Sequence, residues 1–133
     1  MEYKIDITVY VYILMMLLMF ACGTAFSQTF ATNETFKDNI AKDITVIEFW
    51  ADWNKQNQFS ELIKLKDCSV YRVDIMHCMD IQTEYNVSAI PTVIVFDNGV
   101  EKERFLPNIM FKLDACKKTI QNSVDTIILS KFQ

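Results

Sequence analysis

At 133 residues the chain has room for one domain, and its 51% hydrophobic content with a formal net charge of −4 excludes the basic footprint of a nucleic-acid binder. Two glycines exclude the glycine-rich loops that cradle phosphates, and a single histidine, His77, excludes multi-histidine metal sites. No cofactor is expected, and no zinc site, because no cysteine pair stands at the close spacing zinc requires.

Ile7 to Asn33 carries no charged side chain, and Ile7 to Cys22 is almost wholly apolar. Ala25-Phe26-Ser27 offers small residues two apart, as a signal-peptidase site requires, which predicts a signal segment, residues 1–27, and a domain, residues 28–133. Two other readings stay open. Ile7 to Phe26 is long enough to persist as a membrane anchor. Cys22-Gly23 could mark a lipid-bearing cysteine, although Met19-Phe20-Ala21 in front of it is a poor match. All three place the domain outside the cytoplasm, periplasmic or extracellular, with any membrane contact confined to residues 1–27.

After a brief edge strand near Thr29 to Ala31, the cap-like cluster Thr32-Asn33-Glu34-Thr35 predicts a short helix over Asn33 to Ala41. Ile44 to Trp50 is mostly β-branched or aromatic with only Glu48 charged, which reads as a strand buried on both faces. A helix follows over Asn54 to Lys66, burying Phe59, Leu62 and Ile63, and then a strand over Val70 to Ile75. Strand, helix, strand in that order gives a right-handed crossover and two parallel strands. A short helix over Met79 to Tyr85 leads to the strand Thr92 to Asp97, the hairpin signal Asn98-Gly99 and an antiparallel return over Val100 to Phe105. Pro107 opens a long last helix whose apolar face is Ile109, Leu113, Cys116, Ile120, Val124 and Ile127.

Phe49-Trp50-Ala51-Asp52-Trp53 at the end of the central strand, and Ile90-Pro91-Thr92 before a later one, resemble the thioredoxin family. The resemblance covers roughly Thr29 to Ser123. It implies an α/β thioredoxin-like fold: a central mixed sheet of four to five strands flanked by about four helices, with a cis proline at Pro91. The second helix looks shorter than the family's and the last one runs on further. The family strand ends in F-W-A-x-W-C-x-x-C, and the cysteine positions here hold Asn54 and Asn57. The family's first cysteine is made a thiolate by the helix N-terminus and its second resolves the mixed disulfide. An asparagine amide can do neither, so dithiol–disulfide exchange is not expected. Asn54 can serve as a helix N-cap or can hydrogen-bond a partner.

Glu48 fills the place of the family's buried acid. A lone buried carboxylate is costly, so Arg72 on the neighbouring strand is its expected partner, holding it ionised in a structural pair. Cys68 and Cys78 flank one strand, about 20 Å apart, too far for a disulfide. Cys116 falls on the apolar face of the last helix and is expected in the core. Cys78, beside His77, is a weak catalytic candidate; spaced with Ile81 and Tyr85, it reads equally as core. The expected binding surface is Trp50, Asp52, Trp53, Asn54, Asn57, Ile90 and Pro91, shaped to add an extended peptide as a strand. Thr126 to Leu129 either caps the core or docks a partner. The function expected is an exported, redox-inactive binding or assembly module for a protein or extended peptide; the alternative is a single-cysteine redox protein acting through Cys78.

Overall fold

Every residue of β1 (Ile44–Trp50) is buried, as a β-branched and aromatic run with strands on both sides requires. It pairs in parallel with β2 (Ser69–Asp74) and antiparallel with β3 (Thr92–Asp97), which pairs antiparallel with β4 (Val100–Phe105); the sheet order is β2-β1-β3-β4. The structure is a computed structural model that describes residues 6–20 and 29–133. The expected cleavage site at Ser27 and the Cys22-Gly23 dipeptide lie outside the described residues. α1 (Ile7–Phe20) is a 14-residue apolar helix, and among the described residues no helix is long and apolar enough to cross a membrane.

Strand alternation sends β1 side chains to two cores. Ile47 and Phe49 join Phe36, Ile81, Ile94 and Phe96 under α2 (Phe36–Ile40) and α3 (Met79–Glu84). Ile44 and Val46 join Leu62, Val93, Val95, Ile120, Val124 and Ile127 under α4 (Lys117–Ser130). Ile127 therefore belongs to the core, while Leu129 faces solvent at 63% exposure. At the hairpin both Asn98 (φ 49°) and Gly99 (φ 82°) have positive φ, the conformation the tight two-residue turn demands. The edge strand expected near Thr29 is a single parallel bridge, Phe30 to Arg72.

Four expectations are corrected. The helix predicted over Asn33 to Ala41 is only α2, five residues long. The helix predicted over Asn54 to Lys66 is two 3-10 pieces, Asp52–Asn57 and Leu62–Lys64. The cause lies underneath: the Phe59 N–H is donated to Glu48 Oε1 at 2.6 Å and is not free for a helical ladder, while its carbonyl accepts both Arg72 Nη2 at 2.7 Å and, in a tight i,i+3 turn, the Leu62 N–H at 3.2 Å. The last helix begins at Lys117 and not at Pro107. Residues 106–116 instead form a loop closed by a Pro107–Leu113 bridge. Within it Asn108 Oδ1 accepts the N–H groups of Met110 and Lys112, and Asn108 Nδ2 donates to Asp114. Cys116, expected in the core, is exposed because it precedes the helix as its N-cap.

Candidate functional site

The ends of β1 and β3 bring together the first 3-10 piece, the Ile90-Pro91 peptide, which is cis, and the loop 106–116. Asn54 is the joint between them. It is buried, and its side-chain amide donates to the Phe111 carbonyl at 2.9 Å and, more weakly, to the Ile90 carbonyl at 3.5 Å. Its Oδ1 accepts from Asn57 Nδ2 at 2.8 Å. The two asparagines are thus bonded to each other. Asn54 is not a helix N-cap: Ala51 holds that place, and no side chain caps the piece. Phe111 turns its carbonyl toward Asn54 by adopting φ 55°, rare for an aromatic residue, and its ring meets Trp53 edge-on at 5.7 Å.

Of the expected binding residues, Asp52 and Trp53 are exposed and Asn57 is half-buried. Trp50, Asn54, Ile90 and Pro91 are buried. The Ile90 carbonyl that would meet an added strand faces the Asn54 amide, and the Phe111 carbonyl sits on the same amide. What this end presents is Trp53, 56% exposed, beside Ile109, Met110 and Phe111. The sequence reading missed these loop residues. The signal was Pro107-Asn108, a turn-forming pair, masked by the helical spacing of Ile109, Leu113 and Cys116.

Beneath the site Arg72 Nε bonds Glu48 Oε2 at 2.5 Å, with both side chains essentially inaccessible. Burial pushes the Glu48 carboxyl above its usual value, with the Phe59 N–H and the Arg72 guanidinium pulling it back. The two side chains are paired, and burial works against the ionised form of Glu48.

The three cysteines among the described residues differ sharply. Cys78 is 5% exposed, its thiol directed at the Ala31 carbonyl, and burial pushes it up. His77 is held 2.9 Å from Asp74 and is no partner for it. Cys78 therefore sits in the core with Ile81, without the accessible, lowered thiol a nucleophile needs. Cys68 is half-buried and pushed up to about 11 by burial, with Asp67 and Asp125 adding to it. No two of the described cysteines are joined. Among the described residues no group of three or more His, Cys, Asp or Glu side chains converges on a metal position.

The family model "Thioredoxin" matches residues 27–122. The chain is 33% identical over 76 residues to a thioredoxin of Mycoplasma genitalium, covering 50% of this chain and 74% of that one. It is 32% identical over 79 residues to a thioredoxin of Chlamydia trachomatis, covering 55% and 78%. Among solved structures, a mutant thioredoxin from Halobacterium salinarum superposes with a TM-score of 0.62 at 15% identity, covering 75% of this chain and 88% of that one. A thioredoxin from Malassezia sympodialis superposes at 0.60 with 22% identity, covering 75% and 90%.

Proposed function

Because this chain belongs to the thioredoxin family and holds Asn54 and Asn57 where the family motif has cysteines, we propose that it is an exported binding or assembly module without dithiol–disulfide exchange. The observation that carries the reading is the Asn57-to-Asn54 hydrogen bond, with Asn54 bonded onward to Phe111. Two amides satisfying each other are a structural joint, with no group that can attack or resolve a disulfide. The surface left for a partner is Asp52, Trp53 and the loop tip Ile109 to Phe111, an aromatic and aliphatic patch with an acidic neighbour. Such groups anchor protein contacts well, since large rigid side chains bury area at low entropic cost. A protein or peptide with an apolar side chain at its centre suits it. The apolar stretch ending near Ser27 supports export, free or anchored.

The test has two parts. Insulin reduction by dithiothreitol should run no faster with the protein than without it. Extended apolar peptides titrated into the labelled protein should shift the amide resonances of Asp52, Trp53 and Ile109 to Phe111. Catalysed reduction, or peptide shifts confined to another face, defeats the proposal.

A further inference from the structure

α1 carries no charged side chain, its residues 7–16 are exposed, and neither core of the domain includes them. A helix that is apolar all round belongs in a core or in a bilayer. Residues 21–28 join α1 to Thr29 and can span at most about 30 Å when fully extended. Thr29 and Phe30 lie against Arg72, two residues before the end of β2, and the Phe30 ring meets that of Trp50, the last residue of β1, at 6.1 Å. The tether therefore enters the domain near the end where β1 and β2 finish. The exposed apolar side chains of the domain gather at that same end. Phe30, Trp53, Met76, Met79, Ile109 and Met110 are between 49% and 98% exposed, and they come from the segments that adjoin the ends of β1, β2 and β4 there. The other surfaces are ionic. Lys131 pairs with Asp43 and Asp97 at the opposite end, and β4 carries Glu101, Lys102, Glu103 and Arg104 in succession along the flank.

We propose that, on a chain that keeps its apolar amino-terminal segment, this end of the domain rests on the lipid bilayer, with Trp53 and Ile109 to Phe111 immersed at the headgroup boundary. The inference rests on the reading of the Trp53 tip as the contact surface and names what covers it in the anchored form. With α1 in a bilayer, a face of the domain within reach of the tether lies against the headgroups. Charged side chains are costly there and large apolar ones are favoured, so the tip is the face that settles on lipid. Trp53 suits the position, because an indole ring prefers the membrane–water boundary. The charges around the tip select the lipid. Asp52, Asp74, Asp80 and Asp114 outnumber Lys55 and Lys112, so an anionic surface offers no attraction and a zwitterionic one fits. A tip resting on lipid is shielded from peptides, so anchored and free forms differ in what they can bind.

The test uses the full, unprocessed chain made by cell-free synthesis in the presence of phosphatidylcholine vesicles. Phosphatidylcholine brominated high on its acyl chains should quench most of the fluorescence that Trp53→Phe removes. The exposed loop variant Ile109→Glu with Met110→Glu should restore that emission and leave the vesicle-bound fraction unchanged, because α1 still holds the chain. Adding phosphatidylglycerol or salt should not deepen the quenching. A vesicle-bound chain with unquenched Trp53, quenching indifferent to Ile109 and Met110, quenching that grows with anionic lipid, or a full chain that stays off the vesicles overturns the proposal. Peptide titration of the free chain separates the two readings: peptide shifts at the tip without lipid quenching defeat this inference alone, and quenching without peptide shifts defeats the peptide-binding reading alone.

Discussion

Two segment starts in this molecule invite comparison: Asp52–Asn57, where the family motif places its thiols, and Lys117–Ser130, where a cysteine stands. The first is a single 3-10 piece with a non-helical residue, Asn54, inside it. The second is a regular α-helix capped by Cys116, with Thr119 one turn on. A thiol is lowered at a helix start because aligned peptide dipoles and free N–H groups favour negative charge. Where the helix has collapsed into short turns, that field is largely gone. At residues 52–57 the nucleophile and its stabiliser have therefore disappeared together. The Glu48–Arg72 pair links the two losses, since it holds both backbone groups of Phe59.

The comparison breaks most severely if that pair is removed. Arg72→Ala should cost about 3–5 kcal/mol in urea unfolding, the usual result of stranding a buried charge. Glu48→Leu with Arg72→Met should recover most of it, and a double variant as poor as the single would refute the account. The pH dependence has a definite sign. Glu48 is raised in the folded protein, so its contribution to stability is full below the unfolded value near 4.5 and is lost as pH rises through the folded value. Relative to the double variant, the native chain should weaken over that interval; strengthening would reverse the assignment.

Asn54→Ala removes the joint to Phe111 and Asn57 and should cost about 1–3 kcal/mol, with a change in Trp53 fluorescence as the loop loosens. An unchanged unfolding midpoint would mean that the loop holds itself. The mildest test sharpens the contrast directly. In Asn54→Cys, the new thiol should alkylate about tenfold more slowly at pH 7 than Cys116 in the same molecule, because burial and a 3-10 start both withhold thiolate. Equal rates would show that segment length is irrelevant here.

The strands were legible because their signals are local: the β-branched run at Ile44, the Asn98-Gly99 turn and the apolar run within Thr92 to Asp97. Glu48 and Arg72 could be paired from the sequence because parallel register puts them opposite each other. What could not be read was the pair's effect on Phe59, which depends on where a third segment crosses it. The loop at Pro107 was hidden for a related reason. Ile109 and Leu113 have helical spacing, but Asn108 satisfies its own neighbours' N–H groups and ends the competition in favour of a turn. Cys116 moved from core to surface with that single change of boundary.

The sheet's borders carry a further consequence. β2 does not end in open backbone, since Arg72 exchanges hydrogen bonds with Thr29 and Ala31. On the far side β4 pairs with β3 alone among the described residues, but it reads Val-Glu-Lys-Glu-Arg-Phe, and its register slips between Val95 and Phe96 of β3. A run of charge along an irregular rim is a poor template for another chain's strand. The molecule can thus expose Ile109, Met110 and Trp53 at one end without also inviting sheet-to-sheet growth along its flank, which keeps a sticky tip from becoming the seed of a fibre.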